Sequence, residues 1–193
     1  MLAHALSLAS VAAAALAQQP WTPDEYPIGY WCGPPAQYNT LEAWQTVADC
    51  NFTVGGMGGD YGLEGNLNKL DYCQQVGIRA LLHDHRIHWQ MTAADDWKQT
   101  IAQVVADYGS HPALYGYFIH DEPSYELFQP LGEISRELQR QDPAHLPYIN
   151  LFPTYATAEQ LGNPTYSDHL DKFLSIVQPA VLSYDHYCLR ADG

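Results

Sequence analysis

The strongest constraint on how this chain can fold is a rhythm. From Tyr26 onward, short apolar runs alternate with amphipathic segments at intervals of roughly 30 residues, the length of one βα unit. Strand candidates fall at Ile28 to Trp31, Asn51 to Gly55, Ile78 to Asp84, Leu114 to His120, Tyr148 to Phe152 and Ala180 to Tyr184. Helical periodicity fills the gaps at Leu41 to Ala48, Asn66 to Val76, Ala94 to Tyr108, Tyr125 to Arg140 and His169 to Val177. Thr40 is placed to cap the first helix and Gly77 to close the second. Such alternation argues for a parallel sheet, either an open doubly wound sheet or a closed barrel. The glycines around Met57 lack the spacing of a dinucleotide loop and the lysine of a phosphate loop, whereas acidic and aromatic residues follow several different strands, as on a barrel rim. The expected fold class is α/β, a (β/α)8 TIM-barrel-like architecture. About six βα units are legible, so the barrel is expected to be incomplete, with its last strands missing and an apolar edge left open.

The segments ahead of the barrel differ in composition. Residues 1–17 form an apolar, alanine-rich run ending Ala15, Leu16, Ala17, which is expected to be a signal peptide. Residues 18–25 then form an extended lead-in, and residues 26–193 the partial barrel that carries the chemistry. Secretion would expose Cys32, Cys50, Cys73 and Cys188 to an oxidising compartment, so disulfides are expected before metal; no C-x-x-C pair is present. In a barrel, Cys50 and Cys73 both lie toward the N-terminal face and Cys32 and Cys188 toward the opposite one, which predicts those two pairings.

Charge narrows the partner. With 22 acids against 8 bases, a formal net charge of −14 argues against nucleic acid and against an anionic membrane surface. The 14 tyrosines and 5 tryptophans suit a neutral partner such as carbohydrate, whose apolar faces stack on aromatic rings. No cofactor motif is present, and nothing in the sequence bears on oligomeric state.

The run Leu114 to Pro123 ends abruptly in two acids and a proline, where α/β folds put their chemistry. Capping of the following helix would account for Asp121 or Ser124 but leaves Glu122 without a role. Strand alternation sets Phe118, His120 and Glu122 on one face and Asp121 on the other. In a low-dielectric aromatic setting Glu122 would titrate high, as a general acid requires.

The stretch Tyr117 to Pro123 resembles the fourth-strand signature of the clan A glycoside hydrolases, the TIM-barrel superfamily that includes cellulases, mannanases and β-galactosidases. Glu122 and Pro123 match its Asn-Glu-Pro motif, with Asp121 where the substrate-binding asparagine stands. The resemblance implies hydrolysis of O-glycosidic bonds in oligo- or polysaccharides by a retaining mechanism, Glu122 being the acid/base, and the leader adds secretion. It also implies a nucleophile on a seventh strand, which this chain lacks; the fragment alone would then be inactive. Ser183 to Tyr187 is similar to the His-x-Tyr or Asp-x-Tyr element of these enzymes, making His186 and Tyr187 substrate-binding candidates. Leu82 to His85 echoes a third-strand element. Together with Asp121, His120 and His85, Trp31 joins the expected sugar contacts, being one of several aromatics at strand ends with Trp89, Phe152 and Tyr155. Two other readings remain: a non-catalytic carbohydrate-binding or degenerate barrel, and a metal-dependent barrel hydrolase using His83 and His85.

Overall fold

The structure is a computed structural model and describes residues 21–56 and 61–188. Five parallel strands, β1 (Val54–Gly55), β2 (Arg79–His83), β3 (Leu114–Asp121), β4 (Leu146–Leu151) and β5 (Ser183–Tyr184), pair in sequence order. A single parallel bridge from Gly29 to Val54 adds a sixth strand position at the β1 edge. Every neighbour in the sheet is also the next strand in the chain, so the sheet curls in one direction, and the outcome is the half-barrel of an incomplete TIM-barrel-like fold. The signal-peptide expectation falls outside the described residues.

Among the described residues six helices connect the strands: α1 (Leu41–Asp49), α2 (Gly62–Gln75), α3 (Trp97–Tyr108), α4 (Phe128–Gln141), α5 (Ala158–Leu161) and α6 (Tyr166–Ile176). Local chemistry sets their ends. Thr40 accepts the Ala43 N–H ahead of α1, and Thr165 accepts the Asp168 N–H ahead of α6. Thr157 and Gln160 cap α5 reciprocally, which lets a four-residue helix persist, and Gly162 ends it with φ at 65°. Two helices begin later than periodicity predicts: the 3-10 turn Tyr125–Leu127 takes the first residues ahead of α4, and extended backbone at Ala94, after the 3-10 turn Trp89–Ala93, delays α3 to Trp97.

Alternation along the strands makes two cores. Ala80, Leu82, Leu114, Tyr117, Ile119, Ile149 and Leu151 point outward into the helices, against Trp44, Leu70, Ile101, Val104, Leu131, Ile134 and Phe173. Val54, Leu81, Tyr115 and Leu146 point to the concave side, with Phe118, Tyr148, Ala180 and Trp21 packed on them. Trp21 belongs to the lead-in. Its ring meets Tyr115 edge-on at 5.2 Å and its Nε1 donates to the Ala144 carbonyl at 3.2 Å, so that segment lies across the N-terminal end of the concave face. Among the described residues no helix is long and apolar enough to cross a membrane.

The cysteine pairings are not formed. All four thiols are free. Cys73 is fully buried on the sheet-facing side of α2, beside Gly55 of β1, while Cys50 sits exposed at the end of α1. The sequence reading placed both near one face but could not see that Cys73 turns inward. Burial pushes its thiol up to about 12.

Candidate active site

The C-terminal rim gathers its polar groups from three adjacent strands. At the end of β3, Glu122 has φ at 45°, a left-handed conformation that an L residue adopts at a cost of about 1–3 kcal/mol. Its N–H donates to the Asn150 carbonyl at 2.8 Å, holding the backbone there. From β4, the Asn150 side chain is buried and donates through Nδ2 to Asp121 at 3.2 Å and to Asp185 at 2.8 Å. Asp185, just past β5, is fixed by its own N–H to the Leu151 carbonyl at 3.0 Å. The Glu122 carboxyl completes the group through a hydrogen bond to Asp185.

This arrangement corrects the face assignment. Regular alternation would separate Asp121 from Glu122, but the β3–β4 register shifts between Phe118 and His120. The irregularity brings Asp121 opposite Asn150, and both acids then meet Asp185 electrostatically. Asp121 does not cap a helix, and Ser124 takes the N-cap position ahead of Tyr125–Leu127 without a side-chain capping bond. Asp121 is engaged by Asn150, and Ser124 donates to its neighbour Glu126.

The electrostatics follow from the crowding. Partial burial, the hydrogen bond that the protonated carboxyl donates to Asp185 and the charges of Asp121 and Asp185 push Glu122 up to about 7 from 4.5. Asp121 is raised too, chiefly by burial, with the Asn150 bond opposing. Burial holds His120 below the usual imidazole value. Tyr187 reaches Asp185 with its hydroxyl at 3.4 Å, and that carboxylate raises the phenol. A carboxyl group that keeps its proton near neutrality, beside others that accept hydrogen bonds, can serve as a proton donor.

Below the rim the concave wall is aromatic. Phe118 takes the rings of Trp31 and His83 edge-on at 6.0 and 5.6 Å and lies 6.3 Å from Tyr148. The open space along this wall measures about 430 Å³ and is bounded by Trp21, Tyr30, Trp31, Leu81, Tyr115 and Tyr148.

The sequence candidates therefore divide. Glu122, Asp121 and Tyr187 converge, and Trp31 stands on the adjoining wall. His186 is exposed beside the cluster. β2 ends at His83, and His85 lies exposed in the turn that follows. Between them Asp84 is buried, bonded by Arg86 at 2.7 and 2.9 Å and by the Tyr108 hydroxyl at 2.8 Å. Among the described residues no three His, Cys, Asp or Glu side chains are grouped to hold a metal ion. Trp89 packs outward beside α4, where Gln129 and Pro130 share its hollow. Two members were missed. Asp185 was legible as the acid of an Asp-x-Tyr element, whereas Asn150 carried no signal beyond lying in a strand.

No family model matches the chain, and no curated protein matches it. Solved structures are similar in fold. An FMN-binding β-glucuronidase from Facaelibacterium prausnitzii superposes with a TM-score of 0.52 at 12% identity, covering 83% of this chain and 25% of that one. A proposed α-L-fucosidase from Bacteroides thetaiotaomicron gives 0.51 at 10% identity, covering 78% and 62%. A glycosyl hydrolase family 2 member from Bacteroides cellulosilyticus gives 0.49 at 15% identity, covering 82% and 21%. The chain thus spans less than two thirds of the length of each of these proteins. At such identities the likeness to the first two is one of architecture, a TIM-barrel-like fold, here as a half-barrel.

Proposed function

We propose that this protein belongs to the clan A glycoside hydrolases and acts on O-glycosidic bonds of oligo- or polysaccharides, with Glu122 as acid/base. The observation that carries this reading is the crowding of the Glu122 carboxyl at the rim: partial burial, Asp185 and Asp121 push it up to about 7, so that it still holds a proton on the acid side of neutrality and can pass it to a leaving oxygen. The aromatic wall of Trp31, Phe118 and Tyr148 offers ring faces and edges to a sugar, while Asp121, Asn150 and Tyr187 offer hydroxyl partners. Two fold neighbours described as glycosidases support the same substrate class. Secretion, by way of the apolar leader in residues 1–17, belongs to the same proposal.

A retaining reaction uses a nucleophilic carboxylate about 5–5.5 Å from the acid. Asp185 is within hydrogen-bond reach of Glu122, too near for that geometry, and the resemblance puts the nucleophile on a seventh strand. In the first step Glu122 protonates the departing oxygen as the nucleophile bonds to the anomeric carbon. In the second, the Glu122 carboxylate takes a proton from water as that water displaces the nucleophile.

The test uses aryl glycosides whose leaving groups differ in basicity, on a form of the protein that carries the seventh-strand nucleophile and hydrolyses them. A general acid matters only where the leaving group is poor. Glu122→Gln is expected to lose roughly 10²- to 10⁴-fold on basic leaving groups and far less on nitrophenolates. Equal activity of both proteins on basic leaving groups would remove Glu122 from the mechanism.

A further inference from the structure

The hydrogen bonds around Asn150 have a single consistent polarity. Its amide nitrogen faces two carboxylates, Asp121 at 3.2 Å and Asp185 at 2.8 Å, so both N–H bonds are committed as donors. Its Oδ1 accepts from the Ser183 hydroxyl at 2.8 Å. Having donated there, Ser183 accepts from the Tyr148 hydroxyl at 2.7 Å. Tyr148 and Ser183 therefore act as an orienting pair: they hold the amide oxygen away from the acids and the amide nitrogen toward them.

That polarity decides which carboxyl can carry a proton. The Asp121 and Asp185 oxygens that face Asn150 must be acceptors, and each aspartate loses a lone pair to it. Glu122 has no bond from Asn150's side chain among the described contacts, and its own carboxyl meets Asp185. We propose that Asn150 is a positioning residue that assigns the proton of the Glu122–Asp185 hydrogen bond to Glu122. The proposal deepens the acid/base reading of Glu122 and rests on it only for its catalytic meaning. The other titratable groups facing the pair are Asp121 from β3, Tyr148 from β4 and Tyr187 beyond β5, so each enters the titration.

Without the Asn150 donors, Asp185 gains as a proton carrier and Glu122 becomes the acceptor of the shared bond. The experiment follows the side-chain carboxyl ¹³C signals of selectively labelled glutamate and aspartate through a pH titration of the substrate-free protein, which reads where the proton sits whether or not a substrate is known. In the unmodified protein the near-neutral titration is expected on Glu122, identified by its loss in Glu122→Gln. In Asn150→Leu it is expected to move to an aspartate, with the Glu122 midpoint falling by about one pH unit or more, a tenfold change in proton affinity. Ser183→Ala, which removes only the orienting hydroxyl from a half-buried position, is expected to move the midpoint the same way by less, and it carries the test if Asn150→Leu does not fold. An unchanged Glu122 midpoint in a folded variant overturns the proposal. Loss of glycosidase activity with the titration unmoved would count against it as well, since Asn150 would then act by some other route.

Discussion

Glu122 and Asp185 share a hydrogen bond although they close strands that are not neighbours: β3 and β5 flank β4, whose Asn150 stands between them and bonds to Asp185. The contact is possible because the sheet curls. On a flat sheet, strands two places apart lie nearly 10 Å from one another. Curvature thus makes the chemistry, by bringing carboxyl groups close enough to compete for a proton.

That competition has a thermodynamic signature. Glu122 binds its proton more tightly in the folded state, at about 7, than at its free value of 4.5. Its contribution to stability is therefore complete below the lower value and is lost as pH rises through the higher one. The urea midpoint of the native protein minus that of Glu122→Gln is expected to decline between about pH 4 and about pH 8. A difference that stays level, or rises, contradicts the raised titration.

The cysteines give a second test. Cys32, Cys50 and Cys188 are exposed, while Cys73 is buried with its thiol pushed up to about 12. Since the thiolate is the reactive form, an alkylating reagent is expected to modify the first three in the native protein and to reach Cys73 only on unfolding. Peptide mass mapping checks this. Protection of Cys50 together with Cys73 until a reductant is added would restore the disulfide that the sequence suggested.

Asp84 is a structural acid in a functional neighbourhood. It takes Arg86 through both carboxylate oxygens and the Tyr108 hydroxyl besides, and these partners hold it below the usual carboxylate range against the cost of burial. Asp84→Ala leaves Arg86 with Asp107 at 2.7 Å and the Tyr108 oxygen with the Asn66 amide at 3.4 Å but takes away the acceptor of the Tyr108 proton, and is expected to cost about 3 kcal/mol in urea unfolding. Because the folded value is depressed, this support is present at neutral pH and is lost as pH falls through the carboxylate range. A loss within about 0.5 kcal/mol would show the network to be dispensable.

Much of the fold was legible because period and punctuation agree. All six strand positions fall at or beside the apolar runs, since buried parallel strands and their crossover helices write opposite periodicities into the chain. The place of Glu122 at the rim was legible for a similar reason, since it follows directly on a buried strand. Two features escaped. The register shift after Phe118 depends on how β3 meets β4, and a strand's own alternation contains no trace of its partner. Asn150 escaped because its role exists only through Asp121, Ser183 and Asp185, residues that the chain keeps far apart and the sheet brings together.

The seam between β3 and β4 offers the sharpest test of how backbone packing supports the site. A Cβ added at Gly116 would lie 2.1 Å from the Leu146 carbonyl oxygen, well inside contact distance, and both partners are strand backbone that cannot turn aside. Gly116→Ala must therefore part the strands, at an expected cost of about 3 kcal/mol. Gly62, with φ at 68° and nothing within 4 Å of an added Cβ, provides the control. Gly62→Ala meets only the left-handed backbone penalty, about 1–2 kcal/mol. The two substitutions should also differ at the rim. Asp121 and Glu122 ride on β3 and Asn150 on β4, so parting the strands lengthens the Asn150 contact to Asp121 and the Glu122 N–H bond to the Asn150 carbonyl. Gly116→Ala is thus expected to lower the Glu122 midpoint as well as the urea midpoint, and Gly62→Ala only the latter. Equal effects of the two alanines on stability would mean that the β3–β4 seam yields without strain.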